Sequence, residues 1–192
     1  MTTIAIIPAG GKGLRSGSAT PKQYLKVKGK PIIVYTLQTF QKNKLIDRII
    51  IAAEPEYFNL LIKIIKKFKL SKVGLIVEGG MTRQNSVYNA VLSSGADDND
   101  LLVVHDAARA LLSDNILTNA IETAKQKGNA LVCIKAKDTL IKGDKTVDEY
   151  LNRDEVYYVQ TPQIFKYKEL QGALSRAQRE NFIGTDESML VK

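Results

Sequence analysis

The chain has 192 residues, 44% of them hydrophobic and 25% charged, which suits one α/β domain with a good core and leaves little room for a second. No apolar run approaches membrane-spanning length and the N-terminus opens directly on a strand pattern, so the expectation is a cytoplasmic protein with no membrane contact and no signal peptide. The formal charge of +8 invites nucleic acid, but Lys63, Lys66, Lys67 and Lys69 lie on the polar side of a helical pattern without a recognition motif or interleaved stacking aromatics, so no nucleic-acid partner is expected.

The apolar run 4–7 is short enough for a buried strand of a parallel sheet, and it breaks at Pro8 into a loop holding Gly10, Gly11, Gly13 and Gly17. Glycines expose successive backbone N–H donors, and Lys12, Arg15 and Lys22 add three cations, a composition suited to several phosphate oxygens at once. Two better-known phosphate loops are excluded. GxxxxGK[ST] fails because Gly13 follows Lys12 where a hydroxyl should stand. The dinucleotide fingerprint fails at Ser16, and Pro21 interrupts the helix that should follow.

Residues 26–30 read as a polar turn, after which Pro31 opens a helical pattern through Ile32, Leu37 and Phe40. Strands are expected over 46–53, 73–77, 101–104 and 130–136. Helices are expected over 58–70, from Thr82 to Leu92, over 115–127 with Gly128 closing, and over 170–178. This alternation predicts right-handed βαβ units around one sheet. Between 137 and 165 the pattern changes to short strands at 138–141 and 156–159 around the charged centre Gly143-Asp144-Lys145, which reads as an arm added to the sheet.

Asp106 directly follows an apolar strand, at the edge where α/β folds place ligands, and could bind a divalent cation or a substrate hydroxyl; an N-cap is the plainer alternative. Arg109 adds a donor fork for a phosphate or a fixing pair for Asp106. His105 is expected to be structural, since a phosphate monoester is already ionised at neutral pH and needs no base to attack. A single histidine leaves no cluster for zinc, and the single cysteine, Cys133, is expected to pack in the core.

Five blocks of the chain carry a family resemblance. They are Pro8 to Arg15 (PAGGKGLR) with Pro21-Lys22-Gln23-Tyr24-Leu25; Gly79 to Val87 (GGMTRQNSV); His105-Asp106-Ala107-Ala108-Arg109; Asp138-Thr139, Thr146-Val147-Asp148, Arg153 and Thr161-Pro162-Gln163; and, more weakly, Thr185-Asp186-Glu187. Together they resemble the 2-C-methyl-D-erythritol 4-phosphate cytidylyltransferase family of the non-mevalonate isoprenoid pathway. The ribitol-5-phosphate cytidylyltransferases share the glycine loop and PKQ, but RQNSV and the two alanines before Arg109 favour the first family.

The resemblance implies a single nucleotidyltransferase-like, Rossmann-like α/β domain of three layers over 1–192, with a mostly parallel sheet and a protruding β-arm at 137–160 that dimerises. It implies a homodimer joining CTP to methylerythritol 4-phosphate with release of pyrophosphate and with Mg²⁺ on the triphosphate. Ala9, Gly10, Gly11, Lys12, Gly13, Gly80, Arg83 and Ser86 would hold the nucleotide, and Arg15 and Lys22 would screen charge in the reaction. Asp106 and Arg109 would fix the polyol hydroxyls, or Asp106 the metal, while Thr139 and the catalytic Arg153 reach across the dimer to the 4-phosphate. The chain departs from the family pattern in having Gly10 for a second alanine, Ser16 for methionine and Ala110 for proline. Family members also continue to a strand with Asn-Ile-Lys, so the expectation is either a shortened chain or one lacking a phosphate-contacting cation. A catalytically weak CTP-binding protein is the alternative from another class.

Overall fold

The computed structural model describes residues 1–11 and 20–192. Its organising strand is β1 (Thr3–Pro8), whose unbroken apolar run suits a position with partners on both sides and helices over both faces. β1 pairs in parallel with β4 (Arg48–Ala53) and β6 (Leu101–Val104), and β4 pairs in parallel with β5 (Val73–Glu78). Beyond β6 lies β10 (Tyr157–Lys166), antiparallel both to β6 and to the edge strand β7 (Ala130–Lys135), giving the order β5-β4-β1-β6-β10-β7. The sheet is therefore mostly parallel, as expected.

Strand alternation divides the core into two layers. Ala5, Ile7, Ile49, Ile51 and Val103 face α1 (Ile32–Lys42), α2 (Phe58–Phe68) and α4 (Asp114–Lys127), which contribute Leu37, Phe40, Leu61, Ile64, Leu117 and Ile121. Their neighbours Ile4, Ile6, Ile50, Leu102 and Val104 face α3 (Arg83–Leu92), α5 (Tyr167–Arg179) and α6 (Glu187–Val191), through Val87, Val91, Leu170, Leu174 and Leu190. The lysines 63, 66, 67 and 69 are exposed on or just after α2, as the helical spacing predicts. Among the described residues, no helix is long and apolar enough to cross a membrane.

Two sequence expectations need correction, those for the arm and for Cys133, and two small elements add to the predicted set. The polar turn at 26–30 is a small hairpin of β2 (Lys26–Val27) and β3 (Lys30–Pro31), closed by Lys28 and Gly29 with φ of 50° and 76°, the left-handed pair a tight two-residue turn demands. The arm pairs β8 (Leu140–Gly143) with β9 (Val147–Leu151), while 157–159 belongs to the main sheet, Tyr157 lying opposite Lys135. Asp148 and Glu149 mask β9 as a strand. Its turn depends on Gly143, where a Cβ would fall 2.0 Å from the Thr146 carbonyl oxygen. Cys133 is exposed: Ala130 and Val132 face the α4 layer, but Leu131 and Cys133 face the other side of an edge strand, which no helix covers among the described residues. Finally, the five-residue α6 follows Asp186, whose carboxylate caps it by accepting the Met189 N–H at 3.1 Å.

Candidate active site

The four parallel strands deliver their C-terminal ends to one edge. Backbone bonds lace those ends together: Ala9 N–H donates to Ala52 O at 2.7 Å, Gly79 N–H to Ala53 O at 2.8 Å and Ala107 N–H to Pro8 O at 3.4 Å. This is the edge at which open α/β sheets bind ligands.

Gly10, Gly79 and Gly80 converge on Ser86. The Ser86 hydroxyl accepts the Gly80 N–H at 3.0 Å and donates to Thr82 O at 3.0 Å. A Cβ at Gly10 or at Gly79 would come within 3.3 Å of Ser86 Oγ, and one at Gly80 would collide with Asn85 Cβ at 2.2 Å. Only at Gly80 is the absence of a side chain required for this approach; at Gly10 and Gly79 a shift of a few tenths of an ångström would make room. Thr82 caps α3 by accepting the Asn85 N–H at 3.1 Å, so the first turn of α3 is fixed beside the glycines with its dipole toward the same edge.

Gln23 fixes the beginning of the loop. It is buried, and its Nε2 donates to Ala9 O at 2.6 Å and Gly11 O at 3.0 Å. Lys22 sits beside it on a single 3₁₀ turn, exposed and without an ion pair among the described residues. Lys12, Gly13 and Arg15 lie outside the described residues.

Asp106 follows β6 and is held from both sides. Oδ1 accepts from Arg83 Nε and Oδ2 from Arg109 Nε, both at 2.9 Å. Burial alone would raise the Asp106 pKa, but the two guanidinium groups outweigh it and hold the carboxyl below its ordinary value. Arg109 also donates to Gln160 Oε1. Arg83 turns its Nη1 to both oxygens of Glu187, at 2.7 and 3.0 Å. Glu187 is 1% exposed, and burial pushes its carboxyl up despite Arg83, whose own pKa is raised by the two carboxylates against the opposing effect of burial.

His105 is buried under Phe40, with Nε2 3.0 Å from Arg109 O and Nδ1 2.9 Å from Thr161 Oγ1. Both ring nitrogens are thus committed to the fold. Burial pushes its pKa down to about 4, matching the structural role expected of it.

Gly10, Gly80, Ser86, Arg83, Asp106 and Arg109 therefore lie at one sheet edge. Thr139 and Arg153 do not join them within this chain: both are exposed at the base of the arm, Arg153 Nη1 donates to Lys137 O at 3.3 Å, and neither bonds to the Asp106 group. Sequence reasoning assigned no role to Gln23, Thr161, Gln160 or Glu187, although three of them stand inside the recognised blocks. A glutamine, threonine or glutamate flanked by apolar or turn residues is a hint of buried hydrogen bonding, but the partners are visible only in three dimensions.

Among the described residues no three His, Cys, Asp or Glu side chains cluster as a metal cage. Asp106 is a carboxylate at this sheet edge, held between two arginines. Such a donor set fits a cation that keeps one carboxylate and takes its other ligands from phosphates and water, the habit of Mg²⁺.

A family model described as IspD, 2-C-methyl-D-erythritol 4-phosphate cytidylyltransferase, matches residues 3–192. A relative of that name from Clostridium perfringens (strain 13 / Type A) is 40% identical over 195 residues, covering 98% of this chain and 84% of its own. Another, from Clostridium novyi (strain NT), is 37% identical over 191 residues, covering 98% and 82%. The crystal structure of the Francisella tularensis 2-C-methyl-D-erythritol 4-phosphate cytidylyltransferase superposes with a TM-score of 0.83 at 30% identity, covering 100% of this chain and 85% of that one. With the glycine cradle and the doubly held Asp106 at its sheet edge, the chain belongs to the 2-C-methyl-D-erythritol 4-phosphate cytidylyltransferase family.

Proposed function

We propose that the protein transfers the cytidylyl group of CTP to 2-C-methyl-D-erythritol 4-phosphate, giving 4-diphosphocytidyl-2-C-methyl-D-erythritol and pyrophosphate for isoprenoid precursor synthesis. The observation that carries this reading is the placement of the Gly10, Gly80 and Ser86 cradle beside Asp106 on one sheet edge. It supports adjacent sites for a nucleotide and for a hydroxylated phosphate ester.

In the reaction, an ionised oxygen of the 4-phosphate attacks the α-phosphorus of CTP, a new P–O bond forms, the α–β bridging bond breaks and pyrophosphate departs. No proton need be removed first, so the protein contributes positioning and charge neutralisation. Ala9, Gly10, Gly11, Lys12, Gly13, Gly80 and Ser86 hold the cytidine and its phosphates by backbone and hydroxyl donors, with Arg83 at the first turn of α3. Arg15 and Lys22 screen the two anions from one another as they meet. Asp106, kept ionised by Arg83 and Arg109, accepts polyol hydroxyls. Thr139 and Arg153 hold the 4-phosphate from the other subunit of a homodimer, a placement supported by their distance in bonding from the Asp106 group of their own chain. When bound on the triphosphate, Mg²⁺ would supply further neutralisation of phosphate charge, and Asp106 would be the carboxylate that holds it. The protein works in the cytoplasm, and its partners are these small molecules and a second copy of itself.

The test is pyrophosphate release from CTP and Mg²⁺ with methylerythritol 4-phosphate or ribitol 5-phosphate in separate tubes. Release with the first alone is expected. Release with ribitol phosphate alone would move the protein to the sister activity, and silence in both with CTP still bound would leave a nucleotide-binding protein.

A further inference from the structure

Glu187 lies 104 residues along the chain from the arginine it binds, and it is the most deeply buried carboxylate near the site. A buried ion pair is weak support for a fold, because burying two charges costs much of what their attraction returns and a well-packed apolar pair does as well or better. The arrangement nevertheless invests in it. Asp186 caps α6 through Met189 N–H and is itself held by Gln163 Nε2 at 3.0 Å, while Gln163 Oε1 accepts the Ser188 N–H at 3.0 Å. The first turn of α6 is thereby clamped to β10, next to β6, and Glu187 is aimed at one guanidinium.

What that aim achieves is orientation. Glu187 takes Nη1 of Arg83 with both oxygens, which turns Nε, rather than a flexible end, to Asp106 Oδ1. Arg109 grips the opposite oxygen from only three residues away and is tied to Gln160 Oε1, so each half of the clamp on Asp106 has its own anchor, and the half that reaches over from α3 is the one Glu187 holds. We infer that Glu187 is a positioning residue of the active site, acting through Arg83 to fix the Asp106 carboxylate for the polyol. The inference rests on the proposed function only for what Asp106 binds.

Glu187→Gln keeps size and one acceptor but removes the charge. It is expected to raise the KM for methylerythritol 4-phosphate roughly tenfold, the scale of losing an outer partner of a ligand-binding side chain, with the KM for CTP changed less than about twofold, a split that general destabilisation would not produce. In an Asp106→Asn background the same substitution is expected to change the polyol-phosphate KM less than about twofold, since the effect travels through Asp106. A second readout needs no turnover: the Arg83 Nε–H resonance of the free protein is expected to be protected from exchange in the wild type and to lose that protection in Glu187→Gln. An unchanged polyol-phosphate KM, an equal effect in the Asp106→Asn background, or a preserved Arg83 resonance would each overturn the positioning role. Wild-type silence with methylerythritol 4-phosphate would overturn the proposed substrate instead, and the resonance would still decide whether Glu187 orients Arg83.

Discussion

Thr161 and His105 share a 2.9 Å hydrogen bond whose direction is set by the far side of the ring. His105 Nε2 faces the Arg109 carbonyl, which can only accept, so Nε2 carries the proton, Nδ1 accepts, and the Thr161 hydroxyl donates to it. The same threonine oxygen accepts the Asp106 N–H at 3.4 Å. The neutral histidine thereby ties β10 to the backbone that presents Asp106 and Arg109.

This tautomer has a pH consequence. Burial, the largest influence, pushes His105 down to about 4, whereas the unfolded chain binds a proton near pH 6.5. Between those values the unfolded state holds more protons, so the contribution of His105 to stability is fully present above pH 6.5 and is lost as pH falls toward 4, by on the order of 3 kcal/mol. Urea unfolding at several pH values should show this slope, and His105→Asn should flatten it. An identical slope in the variant would assign the loss to other groups. Turnover should show no inflection that follows His105.

Gly80 and Gly10 are predicted to respond differently to one added methyl. At Gly80 the new Cβ would overlap Asn85 Cβ at 2.2 Å and the Asn85 carbonyl carbon at 2.9 Å, so backbone must move and the Gly80 to Ser86 bond is lost. Gly80→Ala should cost about 1–3 kcal/mol of stability. It should also raise the KM for CTP at least ~10-fold, equivalent to about 1.4 kcal/mol of binding. At Gly10 the nearest atom is the Ser86 hydroxyl at 3.3 Å, a contact relieved by a few tenths of an ångström. Gly10→Ala should keep CTP turnover near wild type. Equal damage at both positions would mean that the cradle does not discriminate by this geometry.

Gln23 is predicted to matter to the nucleotide without touching it. Removing its amide leaves two carbonyls, Ala9 O and Gly11 O, without the donor they share. Gln23→Ala should destabilise the protein by about 1–3 kcal/mol and loosen the start of the glycine loop. Gln23→Glu should be at least as harmful, because a carboxylate would face two acceptors. The check is calorimetric unfolding beside CTP titration; full CTP affinity in a destabilised Gln23→Ala protein would separate the loop from the nucleotide site.

The parts that were legible in the sequence are those whose burial is written locally. β1, β4 and β6 are continuous apolar runs because both faces are covered, and α2 shows its core stripe between lysines. Legibility failed where tertiary context decides. Cys133 sits in an equally apolar run, yet β7 is an edge strand with one bare face. β9 hides behind Asp148 and Glu149, and α6 is too short to show a period. The glycines, Arg83 and Asp106 could be read as one site because motif spacing and strand ends coincide. Glu187 could not, since its partner lies on α3 and only the packing of α6 brings the two together.

Lys22 and Arg153 provide a test of whether the site is shared between subunits. Lys22→Ala should lower turnover at least ~10²-fold, by analogy with losing one donor to a transition-state oxyanion. Arg153→Ala should mainly raise the KM for the polyol phosphate, since a ground-state phosphate contact is lost. The informative protein is the heterodimer of the two variants, isolated through a different tag on each chain and assayed at low polyol phosphate. If Arg153 reaches the other subunit's site, one site carries both lesions and the second carries neither, so activity returns to about half of wild type. If Arg153 serves its own subunit, each site carries one lesion and activity stays low. Its single described bond, to the Lys137 carbonyl at the base of the arm, leaves the guanidinium edge available for the first outcome.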